Sequence, residues 1–216
     1  MGRDDRRIVG DLVGAHGQTY ADEAGIRLKD TPQPLYRLLV LAHLLSARIS
    51  ASVAVAAARA LSEAGLRDPR RMAGAEWQER VDALGRGGYR RYDERTATQL
   101  GEGAELLTER WGGDLRKLRD EADGDVSQER RLLQEFPGVG PTGADIFLRE
   151  VQLVWPEAAP YLDRKALQGA RRLGLPDDAD RLLSLAGKTE PAVLAAALVR
   201  AAVDKDVAED ALHHAA

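Results

Sequence analysis

Apolar side chains recur at a spacing of about 3.6 residues along nearly the whole chain, and this pattern admits one fold class, all-α. No run shows the apolar–polar alternation of a half-buried strand, and aromatic residues make up only 5%. The spacing and its punctuation predict helices over residues 4–15, 35–45, 51–64, 75–84, 92–110, 114–122, 127–136, 141–154, 163–173, 178–186 and 190–212. LYRLLVLAHLL, from Leu35 to Leu45, is apolar nearly all round and is expected to be a central, buried helix. Ser50 is placed to cap the helix that Gly65 ends. Asp68-Pro69 pairs a cap with proline at the first helical position. The stretch from 16 to 34, ending in Thr31-Pro32-Gln33-Pro34, reads as a polar connection.

A chain of 216 residues can bury one large core or two smaller ones. Hydrophobic residues at 44% and charged residues at 31% are those of an ordinary globular protein. No run approaches the roughly 18 consecutive apolar residues of a membrane span. MGRDDRRIVGDLVG interleaves charges with short apolar pairs, so neither export nor membrane insertion is expected, and a cytoplasmic protein is. There is no cysteine, which excludes disulfides, thiolate zinc sites and iron–sulfur clusters. His16, His43, His213 and His214 lack metal-ligand spacing, so no metal or other cofactor is expected. The net charge of −4 weighs mildly against a nucleic-acid partner, although a local basic surface can coexist with acidic outer helices.

The most informative segment is LLQEFPGVGPTGADIFLREVQLVW, residues 132–155. Pro137-Gly138-Val139-Gly140 makes a tight turn between two helices, and Pro141 opens the second. Glycine permits turn geometries closed to other residues and lets a partner come close. The result is a helix N-terminus with outward-facing amides, a ready site for phosphate that positions a nucleic acid without reading its sequence. Gly138, Gly140 and Gly143 also spell G-x-G-x-x-G, with Asp163 about twenty residues on, as in a dinucleotide-binding fingerprint. No strand precedes the first glycine, so that reading fails on context.

A hydrophobic residue followed by Pro-Gly-Val-Gly between two helices resembles the signature of helix-hairpin-helix DNA-binding proteins. Other segments extend the likeness. Leu44-Leu45-Ser46-Ala47-Arg48 resembles the Leu-Leu-Ser-Ala-Gln helix end of the endonuclease III-like DNA glycosylases. Gly88-Tyr89-Arg90-Arg91-Tyr92 resembles the segment ahead of their long helix. Leu162-Asp163 and Arg171-Arg172-Leu173-Gly174-Leu175 resemble the start and end of the helix after the hairpin. The agreement keeps its order from about residue 34 to 175, with a slightly longer connection before Asp163.

The resemblance implies a two-lobe helical glycosylase fold. Residues 34–154 would form a lobe containing the hairpin (127–154), residues 1–33 with 155–216 the other, and an active-site cleft would lie between. It implies double-stranded DNA as partner, gripped independently of sequence by Pro137, Gly138, Val139, Gly140, Thr142 and Gly143, with the protein a nucleoid-associated monomer. Asp163 takes the catalytic part, stabilising positive charge on the sugar and orienting water as a base is released. As an ordinary helix start, Asp163 is equally an N-cap, and the two roles are compatible. Bifunctional relatives carry a lysine just past the hairpin, and Thr142 stands there instead. The expected activity is therefore monofunctional base release, without lysine-dependent strand cleavage. Arg48 replaces the glutamine that fills the gap left by an extruded base. Tyr89, Arg91 and Lys165 are further candidates for DNA or cleft contacts, with helix-start packing an even alternative for Tyr89 and Arg91 as for Arg90 and Tyr92 beside them. A catalytically inactive protein that binds damaged or distorted DNA is the other reading of the same features.

Overall fold

The computed structural model describes residues 3–213. Among these there is no strand. In chain order the helices are α1 (Arg3–His16), α2 (Tyr20–Glu23), α3 (Pro32–Leu45), α4 (Ala51–Glu63), α5 (Pro69–Gly74), α6 (Trp77–Arg86) and α7 (Asp93–Trp111). They continue as α8 (Leu115–Ala122), α9 (Val126–Leu133), α10 (Pro141–Val151), α11 (Arg164–Arg172), α12 (Ala179–Ala186), α13 (Pro191–Val203) and α14 (Lys205–His213). A 3-10 turn at Pro156–Ala158 interrupts the connection between α10 and α11. Of the histidines read in the sequence, His214 lies outside the described residues. No single helix among the described residues is long and apolar enough to cross a membrane.

Short polar caps fix half of the helix starts. Ser50 accepts the Val53 amide at the head of α4. Asp68 accepts from Arg71, with Pro69 at the first helical position. Asp114, Asp125 and Asp178 cap α8, α9 and α12 in the same way. Each satisfies an amide that an isolated helix end would leave without a partner, worth about 1 kcal/mol.

The chain divides into two compact units, residues 21–148 and residues 1–20 with 149–216. These dividing points differ from the expected 33/34 and 154/155, and polar ties explain the difference. The Arg37 guanidinium donates to the Gly25 carbonyl at 3.2 Å and Arg119 pairs with Asp30 at 3.2 Å, which binds the segment after α2 to residues 21–148. Arg149 pairs with Asp163, and the Gln152 amide both donates to and accepts from the Tyr161 backbone. The last turn of α10 thus belongs with residues 149–216.

In the unit 21–148, α3 is the core helix, buried from Leu35 to Leu44 except for its Arg37 side. Helices α4 and α8 pack on α3, and α5 and α6 pack on α7. Gly87 lets the end of α6 pass against α4 so closely that a Cβ there would lie 2.3 Å from Ala57 Cα. The buried Arg80 guanidinium donates to the carbonyls of Ala97, Met72 and Ala75, joining α5, α6 and α7.

In the other unit α13 is the core helix, with every position from Leu194 to Val199 buried. Helices α1, α11, α12 and α14 surround it. The contact with α11 is the tightest: a Cβ on Gly169 would lie 1.9 Å from the Leu198 carbonyl oxygen. The Arg200 guanidinium lies 4.5 Å from the centre of the Tyr20 ring and donates to the Gln18 carbonyl.

Two expectations about elements need correction. The single helix expected over 190–212 is broken at Asp204, whose backbone is extended and whose carboxylate accepts the Asp206 amide to start α14. No glycine or proline announces that break. The polar connection expected after α1 contains α2, with Tyr20, Ala21, Ala24 and Ile26 all buried.

Candidate nucleic-acid interface

Helix α9 ends at Leu133, and the chain turns through Phe136–Gly140 into α10. The turn is closed by the Val139 amide donating to the Phe136 carbonyl at 3.0 Å. The first helical bond of α10 runs from the Ala144 amide to the Gly140 carbonyl, also at 3.0 Å. Phe136 and Val139 are buried, and Phe136 stacks on Trp111 with centroids 5.6 Å apart. A bidentate pair between Arg130 on α9 and Asp145 on α10, at 2.6 and 3.2 Å, ties the two helices together. The turn is thus held from inside by apolar anchors and from outside by an ion pair.

Of the hairpin residues expected to grip DNA, Val139 and Gly143 are buried. Gly138, Pro141 and Thr142 are exposed, and Pro137 and Gly140 are half-buried. Among the described residues no acceptor takes the amides of Gly138, Gly140, Thr142 or Gly143. These amides sit at or beside the positive end of α10, where negative charge is stabilised.

The three glycines serve three different ends. Gly138 has a φ of +81°, and a Cβ on it would lie 2.5 Å from both Gln99 Oε1 and His43 Nε2. Its missing side chain therefore faces inward, against polar groups of α7 and α3. Gly140 has open space where a side chain would stand, which leaves the turn surface clear. At Gly143 a Cβ would press on Val139 at 3.2 Å and lie 3.6 Å from Ser46, so this glycine lets α10 start close to the end of α3.

His43 is buried in an otherwise apolar helix, and burial pushes its pKa down to about 4, with a smaller push from Arg95 and an opposing one from hydrogen bonding with Gln99. The ring is neutral at ordinary pH. It borders a small cavity walled by Tyr36, Leu39, Phe136, Pro137 and Val139.

Of the other expected contacts, Arg48 is exposed in the bend between α3 and α4, two residues beyond Ser46. Arg91 is exposed, with its guanidinium 5.3 Å from the Tyr92 ring centre. Tyr89 corrects the expectation of a DNA contact. It is 1% exposed and its hydroxyl bonds Thr96 Oγ1 at 3.1 Å, so it packs the start of α7 and offers no surface.

Asp163 belongs to the other unit. Its Oδ1 accepts the Ala166 amide at 3.0 Å, the N-cap of α11. Its Oδ2 accepts from Arg149 Nη1 at 2.8 Å, and the two side chains are only 7% and 3% exposed. The Arg149 Nε has no partner in its buried position. The carboxylate is thus oriented twice over and faces a buried cation. Lys165 is half-buried and its Nζ donates to Gln168 Oε1 at 3.1 Å, along the side of α11.

Gln99 and Arg149 were not singled out in the sequence, and His43 and Ser46 were named there only as a histidine without metal-ligand spacing and as part of a helix-end motif. The signal for two of them was present, however. His43 is the polar exception in LLVLAHLL, and Arg149-Glu150 is a charged pair inside an apolar run. A polar group amid buried positions needs a specific partner.

No protein-family model and no curated protein matches this chain. Among solved structures it is similar to an endonuclease III trapped as a covalent intermediate with DNA, in an estranged-adenine complex. The sequence identity is 18% and the TM-score 0.50, over 91% of this chain and 84% of that one. The helical order, the hairpin and this likeness agree: the chain has an all-α, helix-hairpin-helix fold like that of endonuclease III.

Proposed function

We propose that this protein is a DNA-binding protein of base-excision repair, and that it acts as a monofunctional glycosylase. The observation that carries the reading is the hairpin, whose turn offers the unclaimed amides of Gly138, Gly140 and Thr142 at and beside the start of α10, Gly143 being buried. Backbone amides at a helix N-terminus grip phosphate without reading bases. That suits a protein that must search duplex DNA for rare sites. The fold likeness to a DNA-bound endonuclease III supports the choice of ligand.

Asp163 is the acid proposed to act in base release. Departure of a base leaves positive charge on the sugar, and a fixed carboxylate stabilises that charge and orients the attacking water. Its cap to α11 fixes its direction. Thr142 has no amine, so the Schiff-base route to strand cleavage is closed at the position where the resemblance puts the lysine.

The Arg149–Asp163 pair favours a second reading, binding without catalysis. A guanidinium at 2.8 Å offsets the negative charge that the sugar cation would need, and both carboxylate oxygens are already engaged. The test is base release from a panel of lesion-bearing duplexes under single-turnover conditions, developed with and without alkali. Alkali-dependent cleavage that disappears in Asp163→Asn establishes the glycosylase. Duplex binding without cleavage of any lesion establishes the binding protein.

A further inference from the structure

We infer, resting on the glycosylase reading above, that Arg149 is a specificity-determining residue. Acting through Asp163, it confines base release to lesions whose base already carries a positive charge, the class of N-alkylated purines. Asp163 has two carboxylate oxygens, and both are claimed. Oδ1 accepts the Ala166 amide at 3.0 Å, and Oδ2 accepts from Arg149 Nη1 at 2.8 Å, with both side chains buried. Opposite charges at that separation attract far more strongly inside protein than in water, and the guanidinium offsets the field that the carboxylate sends beyond the pair.

The arginine is held in that position from its backbone. The Gln152 side-chain amide donates to the Arg149 carbonyl at 2.7 Å and to the Tyr161 carbonyl at 3.0 Å, and it accepts the Tyr161 amide at 2.8 Å. One buried side chain thus clamps the last turn of α10 to the segment that leads into Asp163. Separating the pair would leave two buried charges uncompensated, so the contact persists. The Arg149 Nε is itself buried with no hydrogen-bond partner. A buried cation with one donor unsatisfied costs stability, and the fold alone does not account for it.

The chemistry of base release turns this pairing into selectivity. The N-glycosidic bond breaks with its electron pair passing to the base, water adds to the sugar carbon, and the water's proton goes to solvent. From an uncharged nucleotide the base departs as an anion, and the sugar cation needs a strong opposing charge. From a ring-alkylated purine the same electron pair cancels the positive charge of the base, which departs neutral and needs far less help. A carboxylate whose charge is offset by Arg149 is adequate for the second departure and not for the first.

The test uses the full chain in excess over duplexes of one sequence that carry N7-methylguanine, hypoxanthine, uracil or thymine glycol. Free base is quantified by mass spectrometry, and the rate without protein is subtracted. The parent should release N7-methylguanine about a hundredfold faster than any of the three neutral bases. Arg149→Gln, which frees the charge of Asp163, should raise release of the neutral bases about tenfold, a gain that a damaged fold cannot produce. Circular dichroism identifies an Arg149→Gln protein that has failed to fold, and the parent's preference among the four duplexes then decides alone. A parent that releases a neutral base as fast as N7-methylguanine overturns the inference. So does a folded Arg149→Gln protein that keeps the parent's preference. Duplex binding with no base released from any of the four overturns the glycosylase reading, and the inference falls with it.

Discussion

Gly138 carries two constraints at once, a left-handed backbone and a space already filled by His43 and Gln99. Gly138→Ala should therefore lower stability by about 1–3 kcal/mol, which urea titration measures. Gly140→Ala, with open space and no left-handed backbone, should leave stability nearly unchanged and affect only duplex binding. His43 adds a pH dependence. Burial holds its folded pKa near 4 against an ordinary 6.5, so below neutrality the unfolded chain binds the proton first. Stability is full above about pH 6.5 and falls as pH approaches 4, by roughly 3 kcal/mol. His43→Leu should remove that slope from urea midpoints measured between pH 7 and 4. The Asp163–Arg149 pair is the third case: Arg149→Gln leaves a buried carboxylate without its cation and should cost about 3–5 kcal/mol in thermal unfolding.

At the level of elements, the sequence was most legible where chemistry is local. Ser50, Asp68 and Asp163 cap the helices that their positions announce, and the Pro-Gly-Val-Gly turn lies where its residues require it. The all-round apolar pattern of α3 marked a core helix correctly. Legibility fails where a long-range neighbour decides. Nothing around Asp204 foretells the break between α13 and α14, since an aspartate cap needs only an extended backbone there. The inward-facing role of Gly138 depends on α3 and α7, which lie far away in the chain. Gly169 is another such residue, a glycine inside a helix whose reason is the Leu198 carbonyl across from it. Gly169→Ala must push α11 off α13, and we expect a loss of about 3 kcal/mol. Hydrogen exchange should quicken in α11 and α13 while α3 and α7 keep their protection.

For the whole molecule, the net charge of −4 sets how the proposed DNA binding behaves. The hairpin amides are neutral, so counterion release comes only from arginines such as Arg48, Arg91 and Arg95. The logarithm of the affinity should fall with the logarithm of salt concentration at a shallow slope of about −2 to −3. A slope near zero in anisotropy titrations would remove these arginines from the interface. One further consequence follows from the division of the chain, in which residues 21–148 interrupt a unit made of 1–20 and 149–216. Helix α1 packs on α12, α13 and α14, so its buried face, with Val9 and Leu12, has no native partner until those helices are made. At about 5–20 residues per second, a ribosome needs roughly ten seconds or more to supply them. The interrupting unit is by then complete, and α1 has waited through its synthesis as an apolar stripe open to chaperones.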